Sequence, residues 1–180
     1  VDARNPLMFR NRDLTKYVAE ISLREQRMKM RSARNPKVSV LMLNKADLLT
    51  KKQRFKWAHY LQHKHIQFLF YSAFDEQTTD EQEHFVYQPD LIAKDITHVY
   101  SKSELLAYLE NFKKPYQDRV TIGMVGYPNV GKSSTINSLC GCKKVAVAAQ
   151  PGKTKFLQTI ELGDQVLLCD CPGLVFPSVV

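Results

Sequence analysis

The sequence lacks any apolar run long enough to cross a bilayer: its longest runs, such as Val166–Cys169, fall far short of the roughly 20 residues required. Seven glycines and eight prolines among 180 residues exclude a collagen-like or low-complexity chain. The first residues, Val1–Pro6, carry no apolar secretion signal. With 44% hydrophobic residues, the chain is long enough to build a core without disulfides or metals. We expect one globular domain with no transmembrane segment.

Acidic residues are scarce in the first third of the chain. Residues 1–64 carry a net charge of +11, residues 65–118 carry −6 and residues 119–180 carry +3, which together give the net charge of +8. Six basic residues crowd one segment in which Glu25 is the only acid: Arg24, Arg27, Lys29, Arg31, Arg34 and Lys37. Such a segment suits a polyanion such as RNA, although a solvated charged face fits the charge alone equally well.

Two apolar runs flank a helical pattern in the first half. Val38–Leu43 and Ile66–Tyr71 have the composition of buried parallel strands. Between them, Thr50 and Gln53 form a capping-box pattern that predicts the start of a helix. The unit is therefore strand–helix–strand, which predicts an α/β fold with a mostly parallel sheet and helices on both faces.

The second half repeats the alternation after a break. Residues 74–100 are polar and acidic without a period, which predicts a surface insertion. Ser101 and Glu104 form a second capping box, whose helix we expect to end at Pro115. Arg119–Val125 is the third predicted strand. A hairpin is then predicted from two strand-like runs, Phe156–Leu162 and Gln165–Asp170, on either side of the two-residue loop Gly163-Asp164.

The segment Gly126–Ser133 (GYPNVGKS) fits the phosphate-binding pattern G-x-x-x-x-G-K-[ST] between a strand and a helix. Backbone N–H groups and the helix N-terminus would face the phosphates. Lys132 would neutralise the β- and γ-phosphates, and the Ser133 hydroxyl would ligate Mg²⁺. The expected nucleotide-binding residues here are Asn129, Val130, Gly131, Lys132, Ser133 and Ser134.

Two further segments would complete a metal and γ-phosphate site. Asp170, at the end of the last predicted strand, is placed to hold Mg²⁺, and the N–H of Gly173 can contact the γ-phosphate. Thr154 precedes the hairpin, where a switch threonine would complete the Mg²⁺ shell. Thr159 is the alternative, but it lies inside a predicted strand. Lys132, Thr154 and Gly173 are thus the candidate catalytic residues.

The segment Asn44-Lys45-Ala46-Asp47 follows the first predicted strand and points to guanine. One carboxylate, Asp47, can accept hydrogen bonds from both N1–H and the 2-amino group of guanine, whereas adenine has no such pair. Asn44 would brace this loop and the Lys45 stem would cover the base. At the end of the next strand, Ser72-Ala73 can present an N–H to the guanine O6.

These motifs occur in an unusual order, because the base-recognition loop precedes the phosphate loop. In this order the chain resembles the circularly permuted GTPases of ribosome assembly. Four stretches are similar to the eukaryotic cytoplasmic large-subunit branch of that family: Asp2–Leu7, Asn44–Thr50, Lys153–Thr159 and Asp170–Ser178. Nucleolar and mitochondrial members of the family are the alternatives.

The resemblance implies a permuted P-loop GTPase fold that uses GTP or GDP and Mg²⁺. Asn129 stands at the phosphate-loop position that holds K⁺ in potassium-activated GTPases, so K⁺ is a further candidate cofactor, and a loop-bracing asparagine is the alternative. The resemblance also implies a cytoplasmic monomer that acts on the large ribosomal subunit, both rRNA and ribosomal proteins, and that releases a nuclear-export adaptor. We expect the 180 residues to be an excerpt without the family's final switch helix and C-terminal domain. Leu174 stands where many GTPases have a water-orienting glutamine, so we expect slow hydrolysis without the ribosome.

Two other functions remain compatible with the sequence: a GTP-binding scaffold without hydrolysis, and an RNA-binding module whose nucleotide site has lost its role. The intact motifs argue against the second.

Cysteines and histidines add no metal site to this prediction. The two Cys-x-Cys pairs, Cys140/Cys142 and Cys169/Cys171, fall at opposite ends of the predicted phosphate-loop helix, roughly 10 Å or more apart. That separation disfavours a shared zinc, and we expect reduced thiols. His59 and His63 lie four residues apart on a predicted helix without an acidic partner, so we interpret them as solvated.

Overall fold

The computed structural model of the protein describes residues 1–29, 37–74, 95–145 and 157–174. The helices are α1 (Pro6–Phe9), α2 (Arg12–Arg27), α3 (Lys51–His63), α4 (Lys102–Glu110) and α5 (Lys132–Cys140), with a 3-10 turn at Ala46–Leu48. The strands are β1 (Leu41–Leu43), β2 (Phe68–Tyr71), β3 (Val99–Tyr100), β4 (Val120–Met124), β5 (Gln158–Leu162) and β6 (Val166–Asp170).

The described strands form two three-stranded sheets. In the first, β1, β2 and β3 run parallel in that order. In the second, β6 lies between β4, which is parallel to it, and β5, which is antiparallel. The predicted α/β fold with mostly parallel strands is therefore confirmed. Only Leu41–Leu43 of the predicted strand Val38–Leu43 form β1, so this strand is shorter than expected.

Helices cover both faces of the first sheet, as predicted. Consecutive residues of β2 point to opposite sides. Phe70 packs in a cluster with Ala58 and Leu61 of α3, whereas Leu69 and Tyr71 belong to a second cluster with Leu105 of α4. This second cluster also contains α5 and all three strands of the other sheet, so it is the core that both sheets share.

Both predicted capping boxes are present. Thr50 Oγ1 accepts from the N–H of Gln53 at 3.3 Å, and the Gln53 side chain accepts from the N–H of Thr50 at 2.8 Å. The Ser101–Glu104 pair makes the same exchange at 3.2 and 2.7 Å. The helix that Ser101 opens ends at Glu110 rather than at Pro115, because a backbone turn begins there.

Residues 95–100, at the end of the predicted insertion, pack against the first sheet and α3. Thr97 is buried, and its carbonyl accepts from Nε of Arg54 on α3 at 3.0 Å. Val99 and Tyr100 then pair with β2 as strand β3. Strand β3 was not predicted, since two residues are too few to show a period. The rest of the insertion, residues 75–94, lies outside the described residues.

The predicted hairpin joins β5 and β6. Leu162 pairs with Val166, so the loop holds three residues, 163–165, rather than the predicted two. Gly163 has a φ of +58°, a left-handed conformation that favours glycine.

Helix α2 was not predicted. Asn11 caps it by accepting from the N–H of Leu14 at 2.8 Å, yet none of its residues is buried. Leu14, Val18 and Ile21 recur at helical spacing, so the sequence does carry the period of this helix. None of the helices in the described part of the chain has the length and apolar content needed to span a bilayer.

Candidate nucleotide-binding site

The phosphate loop occupies the turn between β4 and α5, as the motif required. Gly131 is the N-cap of α5, with a φ of +96° that side-chain-bearing residues rarely adopt. Lys132, Ser133 and Ser134 form the first turn of α5, where backbone N–H groups lack helical partners and can face an anion. The loop is therefore shaped to receive phosphate.

Lys132 folds back over this loop. Its Nζ donates to the carbonyl of Gly126 at 3.1 Å and lies 3.5 Å from that of Tyr127. Burial lowers the pKa of Lys132, and the nearby carboxylate of Asp170 and thiol of Cys171 oppose that shift only in part. An arriving phosphate would stabilise the charged ammonium.

The segment after β6 runs beside the phosphate loop. Asp170 ends β6 opposite Met124, the last residue of β4, and is 1% exposed. The N–H of Leu174 donates to the Gly126 carbonyl at 3.0 Å. A Cβ atom on Gly173 would lie 3.5 Å from Lys132 Nζ. The structure thus places Asp170 and Gly173 near Lys132. The sequence motifs assigned all three residues to one phosphate and metal site.

The switch threonine is not located. Thr154 lies outside the described residues, so its assignment stays a prediction. Thr159 lies within β5, the strand position that made it the weaker candidate.

Asn44 joins three loops at the end of β1. Its Nδ2 donates to the Val130 carbonyl at 3.0 Å, and its Oδ1 accepts from the N–H of Ala73 at 3.3 Å. The side chain is buried, with 3% of the residue exposed. One amide therefore ties the recognition loop 44–47 to the phosphate loop and to Ser72-Ala73.

Two other residues of the recognition loop contact different neighbours: Asp47 contacts Ser72, and Lys45 contacts the phosphate loop. Asp47 is exposed, and its Oδ1 accepts from the Ser72 hydroxyl at 2.6 Å, which holds the carboxylate beside Ser72. Lys45 has a φ of +65°, and its Nζ donates to the Asn129 carbonyl of the phosphate loop at 2.8 Å. These contacts tie the recognition loop to the phosphate loop and to Ser72.

Sequence reasoning missed Asp2 as a member of this site. Asp2 is 2% exposed, and its Oδ2 accepts from Lys45 Nζ at 2.9 Å and from Arg4 Nη2 at 2.7 Å. Burial alone would raise the pKa of Asp2, but the hydrogen bonds from Arg4 and Lys45 outweigh it and hold the pKa well below its usual range. The only signal for Asp2 was its place in the family-like stretch Asp2–Leu7.

The cysteines and histidines were the other residues considered as metal ligands. All four cysteines are free thiols. Within the described ranges, no group of three or more His, Cys, Asp or Glu residues could hold a metal ion. His59 lies on α3 in ring contact with Phe55, and His63 ends that helix at the surface.

Several known proteins are similar to this chain. A family model described as a 50S ribosome-binding GTPase matches residues 121–179. Large subunit GTPase 1 of Saccharomyces cerevisiae is 44% identical over 99% of this chain, which covers 30% of that relative. The Schizosaccharomyces pombe protein of the same name is 42% identical with the same coverage. The Drosophila melanogaster homolog is 38% identical, with all of this chain and 36% of the relative covered.

The chain thus spans about a third of the length of the curated relatives it matches. Among solved structures, GDP-bound TM YlqF aligns with a TM-score of 0.52 and 19% identity, over 99% of this chain and 52% of that one. At that identity the likeness concerns the fold alone.

Proposed function

We propose that this chain, a circularly permuted P-loop GTPase domain related to the Large subunit GTPase 1 proteins, binds and hydrolyses GTP as a switch in large ribosomal subunit maturation. The observation that carries the proposal is the direct link between the two loops of the site, from Asn44 Nδ2 to the Val130 carbonyl. A phosphate loop alone accepts many nucleotides, whereas an exposed Asp47 fixed beside it adds selectivity for guanine.

The residues present fit a magnesium ion. The Asp170 carboxylate is buried at the strand edge beside α5, where Ser133 lies in the first turn, and both offer the hard oxygen ligands that Mg²⁺ prefers. In this proposal Ser133, Asp170 and Thr154 hold the ion, which neutralises charge on the phosphates. Lys132 holds the β- and γ-phosphates, and the Gly173 N–H contacts the γ-phosphate.

Hydrolysis by the protein alone should be slow. Leu174 has no side-chain donor or acceptor to orient water, and its backbone N–H is committed to Gly126. A water-orienting group must then come from beyond this residue, and we propose that the large subunit supplies or orders it. The same leucine favours a second candidate function, a GTP-bound scaffold that does not hydrolyse.

Single-turnover hydrolysis of GTP by the full-length protein, with and without purified 60S subunits, separates these two functions. We expect slow turnover alone and acceleration by at least tenfold with subunits, corresponding to about 1.4 kcal/mol in the barrier. Fast turnover without subunits would contradict the interpretation of Leu174. No turnover under either condition, with normal GTP binding, would favour the scaffold.

We further propose that the switch acts in the cytoplasm as a monomer, contacts rRNA and ribosomal proteins, and couples hydrolysis to release of a nuclear-export adaptor. The names of the relatives and of the matching family support large-subunit association. The exposed basic residues Arg24 and Arg27 of α2 offer a surface for rRNA phosphates. Retention of the adaptor on 60S particles after Lys132→Ala would support the coupling, and normal release would contradict it.

A further inference from the structure

Asp2 and Lys45 form an ion pair at the junction of the two loops. Asp2 forms an isolated parallel bridge with Asn44, which places its carboxylate beside the recognition loop. The Lys45 ammonium donates to Asp2 Oδ2 at 2.9 Å and to the Asn129 carbonyl at 2.8 Å. One side chain of the recognition loop therefore reaches a carbonyl of the phosphate loop while a buried carboxylate holds its charge.

The carboxylate is itself held rigidly. Arg4 donates to both Asp2 oxygens, from Nε at 3.0 Å and from Nη2 at 2.7 Å, and its backbone N–H donates to Oδ1 at 3.1 Å. The Asp2 side chain is 3% exposed, whereas that of Arg4 is 58% exposed. Asp2 is thus a fixed anion with one exposed partner, Arg4, and one partner in the site, Lys45.

A lysine side chain loses considerable rotamer freedom when it is fixed in one conformation. Without Asp2, that loss would fall on the moment of nucleotide binding, because Lys45 would first have to be ordered. When Asp2 is present, the side-chain entropy of Lys45 is lost during folding instead. The Lys45 side chain then spans the two loops. A site ordered in advance binds its ligand more tightly.

We propose that Asp2 is a positioning residue for guanine nucleotide, which fixes Lys45 across the junction of the recognition and phosphate loops. The proposal rests on the proposed function, since it concerns the affinity of that same site. Asp2 acts only through Lys45, and this feature makes the role testable.

The test is a double-mutant cycle in the full-length protein, with the dissociation constants of GDP and GTP measured at equilibrium. We expect Asp2→Asn, which preserves shape and removes charge, to weaken binding roughly tenfold, the scale of one charge-assisted hydrogen bond. Lys45→Met should weaken binding by a similar factor. The double variant should bind like Lys45→Met alone, because removal of Asp2 has no effect once its ammonium partner is gone.

Arg4→Gln is the matched control, because it removes the other partner of the same carboxylate. We expect it to leave nucleotide affinity within about twofold of the unmodified protein, since Lys45 keeps its contacts. A merely structural role for Asp2 would lower affinity equally in Asp2→Asn and Arg4→Gln, and that result would overturn the proposal. Effects of Asp2→Asn and Lys45→Met that multiply would overturn it as well.

Lys45→Met keeps the proposal testable if Asp2→Asn fails to fold, because unchanged affinity in Lys45→Met would overturn the proposal by itself. Failure of the unmodified protein to bind guanine nucleotide would instead overturn the proposed function. Tight binding by the unmodified protein and by Asp2→Asn alike would overturn only the role of Asp2.

Discussion

A Cβ atom on Gly131 would collide with Nδ2 of Asn44, because it would lie closer than real Cβ atoms approach any neighbour. The phosphate loop and the recognition loop are therefore in contact at a point where only glycine fits. The φ of +96° at Gly131 excludes other residues for a second, independent reason. The two loops come from distant parts of the sequence, yet they can approach each other only because Gly131 has no side chain.

The first prediction concerns this contact. Gly131→Ala should displace Asn44, break its hydrogen bond to Val130 and strain the N-cap of α5, so that GTP affinity falls by at least tenfold. Isothermal titration with GDP and GTP measures the effect. Gly123→Ala is the control, because no atom lies within 4 Å of a Cβ at Gly123. Equal affinities in the two variants would contradict the prediction.

The second prediction concerns base choice. Asp47→Asn turns a double acceptor into one acceptor and one donor, so GTP affinity should fall by roughly 1–3 kcal/mol. Xanthosine triphosphate lacks the 2-amino donor and should lose less affinity or gain some. Titration of both nucleotides decides the question, and Ser72→Ala, which removes only the hydroxyl that fixes Asp47 at 2.6 Å, should cost less. Unchanged GTP affinity in Asp47→Asn would rule out its assignment to guanine.

The third prediction concerns a monovalent cation. Asn129 is exposed with a φ of +60°, and we expect its side-chain oxygen to hold K⁺. We expect GTP turnover on 60S subunits to be faster in KCl than in NaCl at equal ionic strength. Asn129→Ala should remove the difference. Equal rates in both salts would leave Asn129 as a residue that only braces the loop.

The fourth prediction concerns acid stability. The pKa of Asp2 is lower in the folded than in the unfolded protein, so its ion pair contributes full stability above about pH 4, the ordinary aspartate range, and loses it as the pH falls through the folded pKa. Asp2→Asn should lower the free energy of unfolding at pH 7 by about 1–3 kcal/mol. Urea unfolding between pH 7 and 3 should show this difference shrink toward acid. A difference independent of pH would contradict the ionic account.

The fifth prediction concerns the basic segment. Arg24 and Arg27 end α2 and are exposed, whereas Lys37 is paired with Glu25. Neutralising Arg24, Arg27 and Lys29 should weaken binding to 60S particles and reduce the slope of log affinity against log salt by roughly one unit or less per lost phosphate contact. Lys37→Gln is a control with a smaller expected effect. An unaltered slope would assign the segment to the solvated surface.

Local patterns explain which parts of the fold could be predicted. The capping boxes at Thr50 and Ser101 involve residues three apart, so the sequence displays them directly. Strand β3 and helix α2 were missed for different reasons: two residues carry no period, whereas α2 carries a helical period at Leu14, Val18 and Ile21 that was overlooked. The contact of Asp2 with Lys45 spans 43 residues and depends on the bridge from Asp2 to Asn44, which no local pattern encodes.

The site was predictable to the extent that its motifs are contiguous. The phosphate loop and the recognition loop each occupy a few consecutive residues, and each follows the carboxyl end of a strand, where α/β folds bind ligands. Their mutual geometry was not predictable, because it depends on Asn44 reaching Val130 and on the absence of a side chain at Gly131.

The chain has a single tryptophan, Trp57, and it lies beside only one of the two sheets. Trp57 packs on α3 against the cluster that contains Phe70 and Leu43, and its ring meets that of Tyr60 edge-on at 6.2 Å. Tryptophan emission therefore reports on the sheet that carries the recognition loop, and the sheet next to the phosphate loop contributes none, since the chain has no other tryptophan. Emission and far-UV circular dichroism recorded together during denaturation would distinguish separate melting of the two sheets from joint melting. In the proposed function nucleotide contacts both loops, so its binding would bring two separate transitions to one midpoint.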